Sequence, residues 1–304
     1  MTSPRDPQTK VYSHLRGSQA EFLDRFAVSE LCKGWPVYRD ASEWKNFASL
    51  FCEDAYVWTT WSREQPYDVF IEKSKLGKAA GDFIMHRECG TLVELNPDTE
   101  RAVGKMKATI TQRFTLSPSL GGGEGASPND GDGISSFEPV VFDVDCDCRF
   151  HFFCLKDGEA GDWKVKYVKL IYEKDKVVPV DGMRAPAFRK EVLDQYPEGY
   201  KYLGAAQRML GHDIDGCLPT PNNHDLWLDL YKKMEQWLDG RPDIGLSSSG
   251  SGSGGDGDSA IVKTKKNGVV GNGHNHANGH HENGHDHHGE SAVNGTNRSK
   301  LEGH

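Results

Sequence analysis

Between residues 142 and 153 the chain reads FDVDCDCRFHFF, a strict two-residue alternation. Asp143, Asp145, Asp147, Arg149 and His151 fall on one side; Phe142, Val144, Cys146, Cys148, Phe150 and Phe152 fall on the other. Only an extended chain sends successive side chains to opposite faces. The segment is therefore a strand in a sheet with one apolar and one polar face. Further strand signals are Tyr56–Trp58, Ile84–His86, Thr91–Leu95, Arg101–Leu116, Val140–Leu155 and Trp163–Tyr172. Asn96-Pro97-Asp98 and Asp157-Gly158 supply turns between them. Helical spacing comes earlier in the chain, and helices followed by a run of strands predict an α+β fold rather than a parallel sheet.

The first helical stretch carries Phe22, Phe26, Ser29, Leu31 and Trp35 at helical spacing, with acidic Glu21 and Asp24 at its start. Pro36 is expected to interrupt or kink it. A second helix, capped by Asp40 or Ser42, presents Trp44, Phe47, Ala48, Leu50 and Phe51 and ends at Cys52–Asp54. A third spans residues 67–80. Residues 1–17 read as a loose leader and 18–182 as the α+β domain. Residues 117–137 are a flexible Gly/Ser/acidic insertion, without the Gly-Lys-Ser/Thr of a phosphate loop. Residues 183–244 form a helical extension (Pro186–Leu193, Gly199–Leu210 and Leu226–Leu238, the last capped by Gly240) that packs outside the core or covers a pocket mouth. Residues 245–304 are a Gly/Ser/His-rich tail too polar to order itself. Its histidines could hold divalent metal only loosely.

The formal charge of −9 and pI near 5.8 argue against nucleic acid or an anionic membrane as partner. No apolar run is long enough to span a bilayer, and the first residues lack a signal core. The 7 cysteines, without framework spacing, suggest reduced thiols and a cytoplasmic protein. Cys146-x-Cys148 has no second pair and no histidine at zinc spacing, so no metal site is assigned.

The strongest chemical candidates are Asp40 and His86. A carboxylate and an imidazole sharing one pocket form a general acid/base pair that needs no metal or nucleotide. Each also has a plainer reading, Asp40 as a helix N-cap and His86 as a hydrogen-bonded core residue. Tyr38, Tyr56, Trp58, Trp61 and Tyr67 could line an apolar cavity or pack the core. On the alternating strand, Arg149 could act as an electrophile if the polar face borders the pocket.

The run YRDASEWKNFASLFCEDA, with FIMHRECG and DWKVKYVKLIYE downstream, resembles SnoaL-like and scytalone-dehydratase-like proteins of the nuclear-transport-factor-2-like superfamily over about residues 20–180. The resemblance implies a cone-shaped, strongly curved antiparallel sheet packed with N-terminal helices. It places catalytic residues at Asp40 and His86. It favours Tyr56 and Trp58 as cavity residues and puts Gln112 where scytalone dehydratase has a second histidine. Asp147 falls at a pocket serine and Arg149 at a pocket asparagine. A pocket tyrosine falls at Arg39, with Tyr38 adjacent. The expectation is a cofactor-independent dehydratase, isomerase or cyclase of fungal-type secondary metabolism, acting on a hydrophobic cyclic polyketide or similar small molecule. The resemblance also implies a homo-oligomer, dimer or trimer, with the apolar sheet face against a second subunit. A non-catalytic binding module is the alternative, and an oligomerising subunit, such as the small subunit of a ring-hydroxylating dioxygenase, is a third reading.

Overall fold

A computed structural model describes residues 7–10, 16–116, 139–159 and 161–246. The insertion at 117–137 and the tail beyond 246 lie outside the described residues. In chain order the elements are α1 (Gln19–Asp40), α2 (Trp44–Ser49), β1 (Phe51–Thr59), β2 (Arg63–Pro66), α3 (Tyr67–Ala79), β3 (Phe83–Asn96), β4 (Arg101–Leu116), β5 (Val140–Asp157) and β6 (Asp162–Pro179). Three further helices follow: α4 (Lys190–Leu193), α5 (Lys201–Met209) and α6 (His224–Leu238). No helix among the described residues is long and apolar enough to cross a membrane.

The strands form one curved α+β sheet in the order β2-β1-β6-β5-β4-β3. Its long strands meander antiparallel, whereas β1 joins β6 in parallel. β3 is a single strand with an irregularity between Glu88 and Thr91, where two short strands were expected. Cys52–Asp54 belong to β1 rather than to a helix end.

Helix α1 starts with a capping box between Ser18 and Glu21 and continues for 22 residues through Pro36. The expected break is absent. Pro36 gives up one backbone hydrogen bond, but it is buried against the sheet, and packing holds the helix together. The buried stripe also differs from expectation. Val28, Cys32, Trp35 and Arg39 face inward at i, i+4, i+7 and i+11, whereas Phe22 and Phe26 are exposed. Two apolar stripes at helical spacing compete in this sequence, and packing selects the second.

Trp35 anchors the helix over β5, its ring 5.4 Å from Phe150 and 6.0 Å from Phe152. On β4, Gly104 permits close approach: a Cβ there would lie 2.2 Å from Cys32 Sγ. The alternation of β5 holds in space. Phe142 through Phe152 at even positions are buried, while Asp143, Asp145, Asp147 and Arg149 are half-buried. The apolar face packs on the chain's own α1, which corrects the expectation that a second subunit covers it.

The C-terminal extension does two jobs. Helix α6 packs on the sheet face opposite α1: the Trp237 indole N–H donates to the carbonyls of Ala102 and Cys154, and its ring lies 6.1 Å from Phe153. Tyr231 covers His151, whose buried imidazole is pushed down to about 3 chiefly by burial. Helix α5 instead closes the end of the fold on the α1 side. Gly240, in the left-handed region at φ 80°, follows α6 as the cap predicted from sequence.

Candidate active site

Asp40 is the last residue of α1 rather than the N-cap of α2, which begins after Glu43. A carboxylate at a helix C-terminus meets the negative end of the helix dipole. What holds it there is His86, on the facing strand β3. The His86 backbone N–H donates to Asp40 Oδ2 at 2.6 Å, and ring Nδ1 lies 2.7 Å from Asp40 Oδ1. Both carboxylate oxygens therefore grip one residue. The Lys78 ammonium donates to the Asp40 carbonyl at 3.3 Å and places a cation at the helix end.

The contact defines the imidazole's state. An ionised carboxylate only accepts, so Nδ1 carries the proton and Nε2 keeps its lone pair. His86 is buried, and burial pushes its pKa below the ordinary histidine value. The Asp40 hydrogen bond opposes that shift and the Arg39 charge adds to it. The result is a neutral imidazole, oriented through one nitrogen and open at the other. Among the described residues Nε2 has no hydrogen-bond partner, and the ring edge rests on Phe150 at 5.9 Å.

His86 opens into a small inner chamber of about 30 Å³, walled by Trp35, Arg39, Thr60, Ile110, Gln112 and Gln207 among others. That is room for a water or two, or for the reacting end of a larger molecule. Arg39, Trp61, Ile84 and Gln112 also line an outer cleft of about 690 Å³, which Trp44, Lys73, Lys78, Asp82 and His212 complete. Cleft and chamber thus share one wall. Helix α5 stops the chamber: Gln207 accepts from the Thr60 hydroxyl at 2.6 Å and donates to Gln112 Oε1 at 2.9 Å.

The other sequence candidates divide by sheet face. Gln112 is buried in the chamber wall beside Ile84, its partner on β3. Asp147 and Arg149 point to the opposite face, because β5 turns odd positions away from α1. Asp147 accepts from Thr109 at 2.6 Å; Arg149 pairs with Glu173 at 2.5 Å and lies 5.9 Å from the Trp227 ring. Tyr56 and Trp58 share that far face, where Trp58 meets Tyr167 and the Lys169 ammonium. These four residues therefore lie across the sheet from His86. Tyr38 packs against the core without lining cleft or chamber, and Tyr67 stacks on Phe51 at 5.2 Å. Of the aromatic candidates, Trp61 reaches the cavity.

Sequence reasoning missed Trp35, Thr60 and Gln207 as site residues, and it placed Arg39 at a pocket position without assigning the arginine a role. That Arg39 faces inward was discoverable by extending the stripe Val28–Cys32–Trp35 by one more turn. It is 4% exposed, and among the described residues its Nε and Nη1 have no acceptor. Each buried donor left unpaired costs about 1–3 kcal/mol.

The SnoaL-like domain family matches residues 20–169. A PEP2-like protein of Fusarium vanettenii is 42% identical over 228 residues, covering 72% of this chain and 87% of the relative. Pea pathogenicity protein 2 of the same fungus is 40% identical over 234 residues, covering 74% and 89%. Among solved structures, a putative scytalone dehydratase from Novosphingobium aromaticivorans aligns with TM-score 0.37 at 14% identity, covering 55% of this chain and 97% of that one. A type 2 hexachlorocyclohexane dehydrochlorinase (LinA) aligns with TM-score 0.38 at 9% identity, with the same coverages. By the family match, and with relatives covered over 87% and 89% of their length, the chain belongs to the SnoaL-like family.

Proposed function

We propose that the protein is a cofactor-independent acid/base enzyme that dehydrates, isomerises or cyclises a hydrophobic cyclic small molecule. The observation that carries this reading is the double grip of Asp40 on His86, with Nε2 left free at the chamber wall. In the proposed step, Nε2 takes a proton from the carbon next to a substrate carbonyl. The C–H electron pair forms an enolate, which re-forms the carbonyl as a β-hydroxyl departs. The imidazolium returns its proton to that hydroxyl, which leaves as water, and His86 is regenerated. Proton transfers alone balance the reaction. A positioned base commonly contributes ~10²–10⁴ in rate.

The test uses the full chain in D2O with a panel of hydrophobic cyclic β-hydroxyketones. Deuterium wash-in at the α carbon and enone formation are followed by NMR. The expectation is acceleration by the wild type, and loss in His86→Gln and Asp40→Asn at unchanged circular dichroism. Equal rates in wild type and His86→Gln would end this reading.

A second reading, a non-catalytic binding module, draws on the closure of the chamber by Gln207. It predicts ligand binding in the outer cleft and no proton exchange in any variant.

A further inference from the structure

The walls around His86 carry an excess of donors with nothing to bind. Arg39 Nε and Nη1 and Trp35 Nε1 are buried without a partner among the described residues, and both side chains line the inner chamber. Ser74 Oγ, on the outer cleft wall, is likewise buried without a partner. The Arg39 guanidinium lies over the Phe70 ring, 5.5 Å from its centroid. A buried arginine is ordinarily paired with a carboxylate or other acceptor. Asp40, its neighbour, spends both oxygens on His86. Asp82 lines the cleft and acts on the guanidinium through its charge, with no hydrogen bond between them among the described residues.

The approach to the chamber has the same bias. Lys73 and Lys78 stand in the cleft with Arg39, against Asp82 and Asp213. Asp213 is taken up by Arg63 at 2.9 Å. A cationic cleft on a chain of net charge −9 concentrates anions locally.

We infer that the site takes an organic anion, whose carboxylate or enolised-dicarbonyl oxygens are bound by the Arg39 guanidinium next to His86. A planar guanidinium suits a pair of anionic oxygens. The apolar body of the molecule lies in the outer cleft against Trp44 and Trp61. The anion site stands on the donors alone. Its assignment to the substrate rests on the acid/base reading above.

The experiment is isothermal titration of the full chain with 1-naphthoate and with neutral 1-naphthamide. The expected result is at least tenfold tighter binding of the naphthoate, with the preference erased in Arg39→Met. The Arg39 Nε–H resonance of the wild type, assigned through its backbone, should also shift with naphthoate and not with naphthamide. That second measurement decides the matter if Arg39→Met fails to fold. Equal binding of the two probes, no binding of naphthoate, an unmoved Arg39 resonance, or a preference that survives in folded Arg39→Met would overturn the inference. His86→Gln should keep the preference while losing proton transfer. Turnover lost with the preference intact supports both readings. A preference absent from the wild type with turnover present refutes the anion site alone. A preference present, with turnover indifferent to His86, refutes the acid/base reading alone.

Discussion

Asp40→Asn is the sharpest single perturbation of this site, because it changes one atom and reverses a proton. The carboxylate accepts from both the backbone N–H and Nδ1 of His86. An asparagine in the same rotamer can satisfy the backbone N–H with Oδ1, and then its Nδ2 faces the ring. Two donors cannot face each other, so the imidazole must move its proton to Nε2. The lone pair then points at the amide and not at the chamber. The loss expected is the whole contribution of the base, ~10²–10⁴ in kcat/KM, or about 3–5 kcal/mol of activation free energy. Stability changes less. One charge-assisted hydrogen bond becomes a neutral one, at about 1–2 kcal/mol. Removing a negative charge from the C-terminus of α1 returns about 0.3–1 kcal/mol. The net shift is a few degrees in Tm at about 2–4 °C per kcal/mol for a domain of this size. The assay pairs enone formation with thermal melting followed by circular dichroism. A folded Asp40→Asn protein with wild-type kcat/KM would refute the argument that Asp40 sets the tautomer.

The remaining predictions concern pH and packing. Because burial lowers the His86 pKa, kcat/KM should rise with pH along a limb centred below the ordinary histidine value and be level at neutrality. Arg39→Met removes a charge that adds to the shift, so its limb should move to higher pH in a pH–rate profile. His151 is neutral in the fold down to about 3, whereas an unfolded histidine protonates below ~6.5. The unfolded state therefore binds the extra proton as pH falls through that window, and stability drops with it. His151→Phe should lose about 2 kcal/mol less than wild type between pH 7 and pH 5, measured by urea denaturation. Gly104→Ala drives a methyl into Cys32 Sγ and should cost about 1–3 kcal/mol, part of which Cys32→Ala restores in the double variant.

Much of the scaffold was legible because it rests on periodicity. The limits of β4 were readable to the residue from alternation between a turn and the Gly/Ser-rich insertion, and α3 nearly so. The alternation of β5 established its two faces, but not which of them meets a cavity. That depends on where α1 lands, and the choice between the Phe22–Phe26 stripe and the Val28–Trp35–Arg39 stripe is made by the sheet. Arg149, Asp147, Tyr56 and Trp58 were placed near the pocket without that knowledge, and all lie on the α6 side. Asp40 and His86 were candidates by residue chemistry, and resemblance to a family strengthened them. Their separation of 46 positions in sequence gives no local signal, and contact arises only because β3 runs past the end of α1. Gln207 was invisible for a related reason: it reaches the chamber from a helix beyond the sheet, through hydrogen bonds to Thr60 and Gln112. Arg39 was placed at a pocket position by the resemblance, but its burial without an acceptor is visible only in the fold.

The most direct measurement is the protonation state of the His86 ring. In a chain with 13 histidines, its two nitrogens can be assigned as the 15N signals that vanish in His86→Gln. At pH 7 they should show a neutral ring with the proton on Nδ1 and an unprotonated Nε2. A proton on Nε2, or a charged imidazolium at that pH, would contradict the account.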